Sequence, residues 1–278
     1  MKLGLSMWSY QASVRRGELD IPGFIRQAKT LGVDGVELLD FFWKDRAAEL
    51  PAVEAALAET GLPVGIYSVA NNFVLADPEA RKANVKIITD GVDNAVHFGA
   101  KTVRVFAGDL SPGITYEQGL TWIVEGLKEA AAYAYEKNIT LALENHGTLA
   151  GRSDQIETIL NAVASPALKA NPDTGNFLLV HQASHLGVAE LATRAAMCHF
   201  KDFHVVPDSY TGYSYKGTEG LKFAGTVIGE GDVDLPDCIK SLKEAGFDGW
   251  LNIEYEGEED PATAIAKSVA YTRGLLAG

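Results

Sequence analysis

Four side chains stand where an apolar run of this 278-residue chain turns polar: Glu144, Asp173, His199 and Glu254. The clearest case is LALENHG, residues 141–147, in which an apolar stretch runs into Glu144, Asn145 and His146 before Gly147 breaks the chain. A carboxylate at the end of a buried strand is costly unless it is paired. Three carboxylates brought together repel one another, and a divalent cation removes that conflict. Oxygen donors with one imidazole suit Mn²⁺ first, with Mg²⁺, Co²⁺ or Zn²⁺ as alternatives. The bland alternative is four separately satisfied polar residues at loop starts.

The elements that carry these residues repeat one sentence: strand, polar loop, helix, turn. Apolar runs at 3–7, 35–40, 63–69, 101–107, 141–147, 168–172, 196–202 and 250–256 read as strands. Asp20 with Pro22, Asp77 with Pro78, Thr115 with Gln118, Asp234 with Pro236 and Asp260 with Pro261 mark helix starts. Pro51 is placed in the first turn of a helix that Gly61 ends. Helices near 153–163 and 184–195 complete the set. Eight β-then-α units in one domain, 1–278, predict a parallel (β/α)₈ TIM barrel. A doubly wound open sheet is the rival, and no GxGxxG follows the first strand to favour it. The Gly/Tyr-rich stretch 205–233 is the one segment long enough for a lid.

In such a barrel the active site lies at the C-terminal ends of the strands. Glu144, Asp173, His199 and Glu254 fall there on strands five to eight, 29, 26 and 55 residues apart. Alternation places Glu144 with His146, His199 with Lys201, and Asn252 with Glu254 on shared faces. His146, Lys201 and Asn252 are therefore candidates to support the ligands or touch substrate. Asn176, three residues after Asp173, is another. Glu37 and Arg104 also read as inward, and a buried Glu–Arg pair accounts for them. His204, Arg152 and Lys216 on loops are candidates for a phosphate or sugar hydroxyls. Trp8, Phe73 and Phe106 at strand ends offer an apolar wall for a sugar face. His97, His181 and His185 read as structural.

Composition narrows the partners. A formal net charge of −13 repels phosphate backbones and argues against nucleic acid. No apolar run is long enough to span a membrane, and the first residues do not read as a signal peptide. A cytoplasmic location, a small sugar or sugar phosphate as ligand and a possible homo-oligomer are the expectations. The two cysteines, Cys198 and Cys238, read as core filler.

The stretches LENHG (143–147), NPDTGNF (171–177), HFKD (199–202) and IEYEG (253–257) resemble the xylose isomerase-like TIM-barrel superfamily of sugar phosphate isomerases and epimerases. The resemblance spans essentially the whole chain. It implies a metal site of Glu144, Asp173, His199 and Glu254, with the two glutamates as the acid/base pair. It implies isomerisation or epimerisation of a keto sugar, sugar phosphate or related polyol through a cis-enediolate. Two positions depart from the ketose 3-epimerase branch: Asn176 where a histidine is usual, and Val205 and its neighbours where an arginine is usual. Three other activities stand beside this one. A lyase or dehydratase uses the same enediolate and loses water. A sugar-binding barrel without catalysis needs no proton-transfer pair. An endonuclease IV-like phosphodiesterase needs further histidines, which strands two to four lack.

Overall fold

The computed structural model describes residues 1–278. Eight parallel strands form its centre: β1 (Lys2–Ser6), β2 (Gly35–Leu39), β3 (Val64–Ser68), β4 (Thr102–Val105), β5 (Thr140–Glu144), β6 (Leu168–Asn171), β7 (Met197–Phe200) and, last in the chain, Trp250–Ile253. Each of the first seven is paired with its neighbour in chain order except across β6 and β7, and Trp250–Ile253 lies between β7 and β1. Two bridges, Ala170 to Ala195 and Asp173 to His199, draw β6 and β7 together and close the ring. This is the TIM barrel that the β/α repeat predicts.

Helices form the outer layer. Asp20, Asp77, Asp234 and Asp260 cap helix starts with their carboxylates, each with proline in the first turn. Thr115 and Gln118 form the reciprocal capping box. Gly61 and Gly99 end their helices in the left-handed conformation, φ 66° and 75°. One expectation is corrected: the helix Arg46–Thr60 starts at the Asp45 cap, so Pro51 lies inside it rather than in the first turn. The stretch after β7 is not irregular. It folds into a small antiparallel sheet of β8 (Phe203–Val206), β9 (Tyr215–Lys216) and β10 (Lys222–Gly225), with β10 in the middle. Chain order then makes Trp250–Ile253 β11.

Sixty-four buried residues form one apolar layer between the strands and the helices. Cys198 and Cys238 are unpaired and buried in it. Inside the barrel a second, smaller cluster of Ile66, Ala142 and Met197 packs with Trp250. Above this apolar floor the interior turns polar, with Glu37, Ser68, Arg104, Asn171, His199 and Asn252 all buried.

Candidate active site

The strand ends bring Glu144, Asp173, His199 and Glu254 to one point. One donor atom from each lies within 4.8 Å of every other, and all four residues are buried. Nδ1 of His199 faces the three acids, 3.1 Å from Glu144 Oε2, 3.8 Å from Asp173 Oδ2 and 3.8 Å from Glu254 Oε1. Nε2 of the same ring faces Glu37, at 3.0 Å. Glu37 is a carboxylate that also accepts from Ser68 Oγ at 2.5 Å and Asn252 Nδ2 at 2.7 Å. An acceptor this strong keeps a proton on Nε2, so Nδ1, which faces the acids, is the nitrogen that would ligate a cation once its own proton leaves.

Asp173 divides its two oxygens. Oδ1 accepts from the backbone N–H groups of Gly175 (3.0 Å) and Asn176 (2.9 Å), which fixes the turn after β6. Oδ2 is fully buried and has no hydrogen bond, although Lys201 Nζ stands 3.0 Å away. Burial, reinforced by the charges of Glu144 and Glu254, pushes the Asp173 carboxyl up to about 7 against the opposing charges of Lys201 and His199. A buried, unbonded carboxylate oxygen beside two other acids and the Nδ1 of a buried imidazole is a donor set that fits a divalent cation.

Each glutamate has its own cation. Arg104 Nε lies 3.3 Å from Glu144 Oε2, and Arg104 Nη1 donates to the Val69 carbonyl at 2.9 Å. Burial works to raise Glu144, but the charges of His199 and Arg104 outweigh it and hold this carboxyl far below its usual range. Lys201 Nζ donates to Glu254 Oε2 at 2.8 Å and Glu256 Oε1 at 3.3 Å. Burial works to discharge Lys201, but the surrounding Asp173, Glu254 and Glu256 keep it protonated well above its ordinary range. The Glu37–Arg104 pair expected from the sequence is therefore replaced by Glu37–His199 and Arg104–Glu144.

Above the acids opens a cavity of about 1000 Å³. Trp8, His146, Asn176 and Lys201 line it, together with Glu144 and Glu254. Asn176 Nδ2 donates to Glu144 Oε1 at 3.2 Å. The His146 ring packs 4.7 Å from Phe106, another lining residue. Trp8 Nε1 donates to Glu256 Oε1 at 2.7 Å. Asn252 lies below, on Glu37.

Three expectations are corrected. Arg152 opens a helix and turns along it to Asp154, 3.1 Å away, so it does not line the cavity. His204 does not line it either, because strand alternation turns Phe203 inward and His204 outward. Phe73 is wholly buried under the barrel wall instead of lining the site. Glu256, Phe41, Tyr213 and Tyr215 line the cavity without having been singled out. Period-two spacing after Glu254 was the signal for Glu256. Nothing local marked the two tyrosines, which β9 and the turn before it swing over the mouth.

A sequence model of the xylose isomerase-like TIM barrel matches residues 25–275. The chain belongs to that family. It is 26% identical over 267 residues to L-ribulose-5-phosphate 3-epimerase UlaE of Salmonella typhi, covering 91% of this chain and 89% of that protein. The fold superposes on D-psicose 3-epimerase of Clostridium cellulolyticum H10, solved with D-tagatose, with a TM-score of 0.76 at 15% identity, covering 99% of each chain. It also superposes on a xylose isomerase-like TIM barrel protein of Mycobacterium smegmatis in complex with magnesium, with a TM-score of 0.74 at 20% identity, covering 99% of this chain and 96% of that one. No helix is long and apolar enough to cross a membrane.

Proposed function

We propose that this protein is a divalent metal-dependent epimerase or isomerase of a keto sugar. The observation that carries the reading is the pair of buried glutamates, Glu144 and Glu254, converging on His199 and Asp173 within 4.8 Å. Similarity to sugar epimerases supports it. Glu144, Asp173, His199 and Glu254 would hold the cation, with Mn²⁺ the first choice. When bound, the cation supplies a Lewis acid that stabilises negative charge developing on the sugar oxygens.

The chain's own residues do the rest. The aromatic wall of Trp8, Phe106 and Tyr215 suits the C–H face of a sugar ring or chain. One glutamate takes the proton from the carbon beside the carbonyl, and an enediolate remains. The other glutamate delivers a proton to the opposite face, so the centre inverts. The reaction runs both ways, and each glutamate is the base for one epimer. The glutamate that donates enters the turnover protonated and the one that abstracts enters it ionised, so the pair conserves its proton count, and Arg104 beside Glu144 favours the ionised form of that residue. Asn176 orients Glu144, and Lys201 orients Glu254.

The test is incubation of the Mn²⁺-loaded protein with ketopentoses and ketohexoses in D₂O. Epimerisation yields a product of conserved carbon skeleton with deuterium at the inverted centre. Glu144→Gln and Glu254→Gln each lower kcat by roughly 10²–10⁴-fold. Loss of water from the product identifies a dehydratase instead, and full activity in either variant removes that residue from proton transfer.

A further inference from the structure

We infer that the cavity takes an unphosphorylated sugar and turns away the corresponding phosphate monoester. The inference rests on the sugar-epimerase reading and adds the substrate class to it. TIM barrels commonly bind phosphate at the loops after the seventh and eighth strands, on the N-terminus of a helix. Here the loop after β11 carries Glu256, Glu258, Glu259 and Asp260, all of which line the cavity. The helix that follows, Pro261–Ala277, starts behind an acidic cap, Asp260. Asp260 Oδ2 already accepts from Thr263 N at 3.0 Å, and Pro261 has no N–H to give.

The basic residues of the cavity do not offset this. Lys201 is held among Glu254, Asp173 and Glu256, at 2.8, 3.0 and 3.3 Å. Arg104 is held by Glu144, and Arg16 by Glu18 at 2.8 Å. Arg15 is the one lining guanidinium without a carboxylate partner, and it lies 5.1 Å over the Trp8 ring. A cation on the floor compensates the three acids that would hold it. A phosphate monoester carries close to two negative charges at neutral pH. Glu256 shares Lys201 with two other acids, and Glu259 meets Lys267 at 3.4 Å. The phosphate therefore stands against two carboxylates without a basic partner, Glu258 and Asp260, and one unpaired arginine, and is repelled, whereas a neutral polyol meets no such repulsion.

The experiment uses the full chain with Mn²⁺ and matched pairs: ribulose, fructose and psicose, each beside its terminal phosphate. Deuterium exchange and calorimetric binding are both read. The expected result is a preference for the free sugar of roughly tenfold or more in kcat/KM or in Kd. That preference shrinks with added NaCl, because screening weakens repulsion at the mouth. It also shrinks in the Glu258→Gln/Glu259→Gln double variant. Equal or better use of the phosphorylated sugar overturns the inference and leaves the epimerase reading standing. Binding of free sugars with no exchange in either set overturns the epimerase reading, while the ratio of Kd values still decides the exclusion. Binding by neither member of any pair overturns the inference as well.

Discussion

Glu37 reaches His199 from the side opposite the three acids. Its carboxylate is wholly buried and accepts from Nε2, so it selects the tautomer that offers Nδ1 upward. Glu37→Gln keeps the size and removes the charge, and a glutamine amide can present N–H instead of oxygen to the ring. The expected outcome is Mn²⁺ affinity weaker by roughly 10–100-fold, read by calorimetric titration with thermal unfolding as a control for folding. Unchanged affinity in a folded variant would show that Glu37 does not set the ring. The meeting of Glu144, Asp173, His199 and Glu254 was legible in the sequence, since each ends an apolar run. Glu37 was legible as inward-facing but not as the partner of His199. β2 and β7 are not neighbours in the sheet. Which buried charges meet across a closed barrel depends on strand stagger, which no local pattern states. Arg152 and His204 failed for a related reason: a loop charge declares itself polar, but not which way its first turn or its strand points.

At the scale of elements, the barrel needs a floor as much as a mouth. Trp250 begins β11 and lies across the glycines of β2 and β3. A Cβ at Gly65 would stand 2.4 Å from the indole, and one at Gly35 2.6 Å from it. Neither glycine has a left-handed backbone, so close approach explains both. Gly65→Ala overpacks this floor and is expected to destabilise the fold by about 1–3 kcal/mol in urea unfolding. Metal affinity should hold, because the donors sit at the opposite end of the strands. A loss of Mn²⁺ binding without a loss of stability would contradict that separation of floor and mouth. Strand order and most helix starts were readable, because Asp-Pro caps and glycine stops are local chemistry. The sheet of β8, β9 and β10 was not. Its strands are two to four residues long, too short for a period-two pattern to mark them.

At the scale of the whole molecule, the site opposes the fold until something neutralises it. Asp173 is pushed up to about 7 by burial and by Glu144 and Glu254, well above its usual value of 3.8. A carboxyl raised in this way binds its proton more tightly in the folded protein than in the unfolded chain. The metal-free protein therefore loses stability from Asp173 as pH rises from about 4 to about 7, and the loss is complete above that window. His199 changes in the same direction. Burial works to lower it, the charges of Glu37, Glu254 and Glu144 raise it well above its ordinary value, and ligation requires that proton to leave. A divalent cation competes with both protons, so it binds the folded protein better as pH rises. Metal at a hundred times its Kd stabilises the native state by about 2.7 kcal/mol, which in a chain of this size corresponds to a Tm increase of roughly 5 °C. The expected outcome is that Mn²⁺ raises Tm by about that amount at pH 8, measured against an EDTA-treated sample. The gain should be markedly smaller at pH 5.5. A gain independent of pH would mean that Asp173 and His199 release no protons on binding, and the donor set would have to be redrawn.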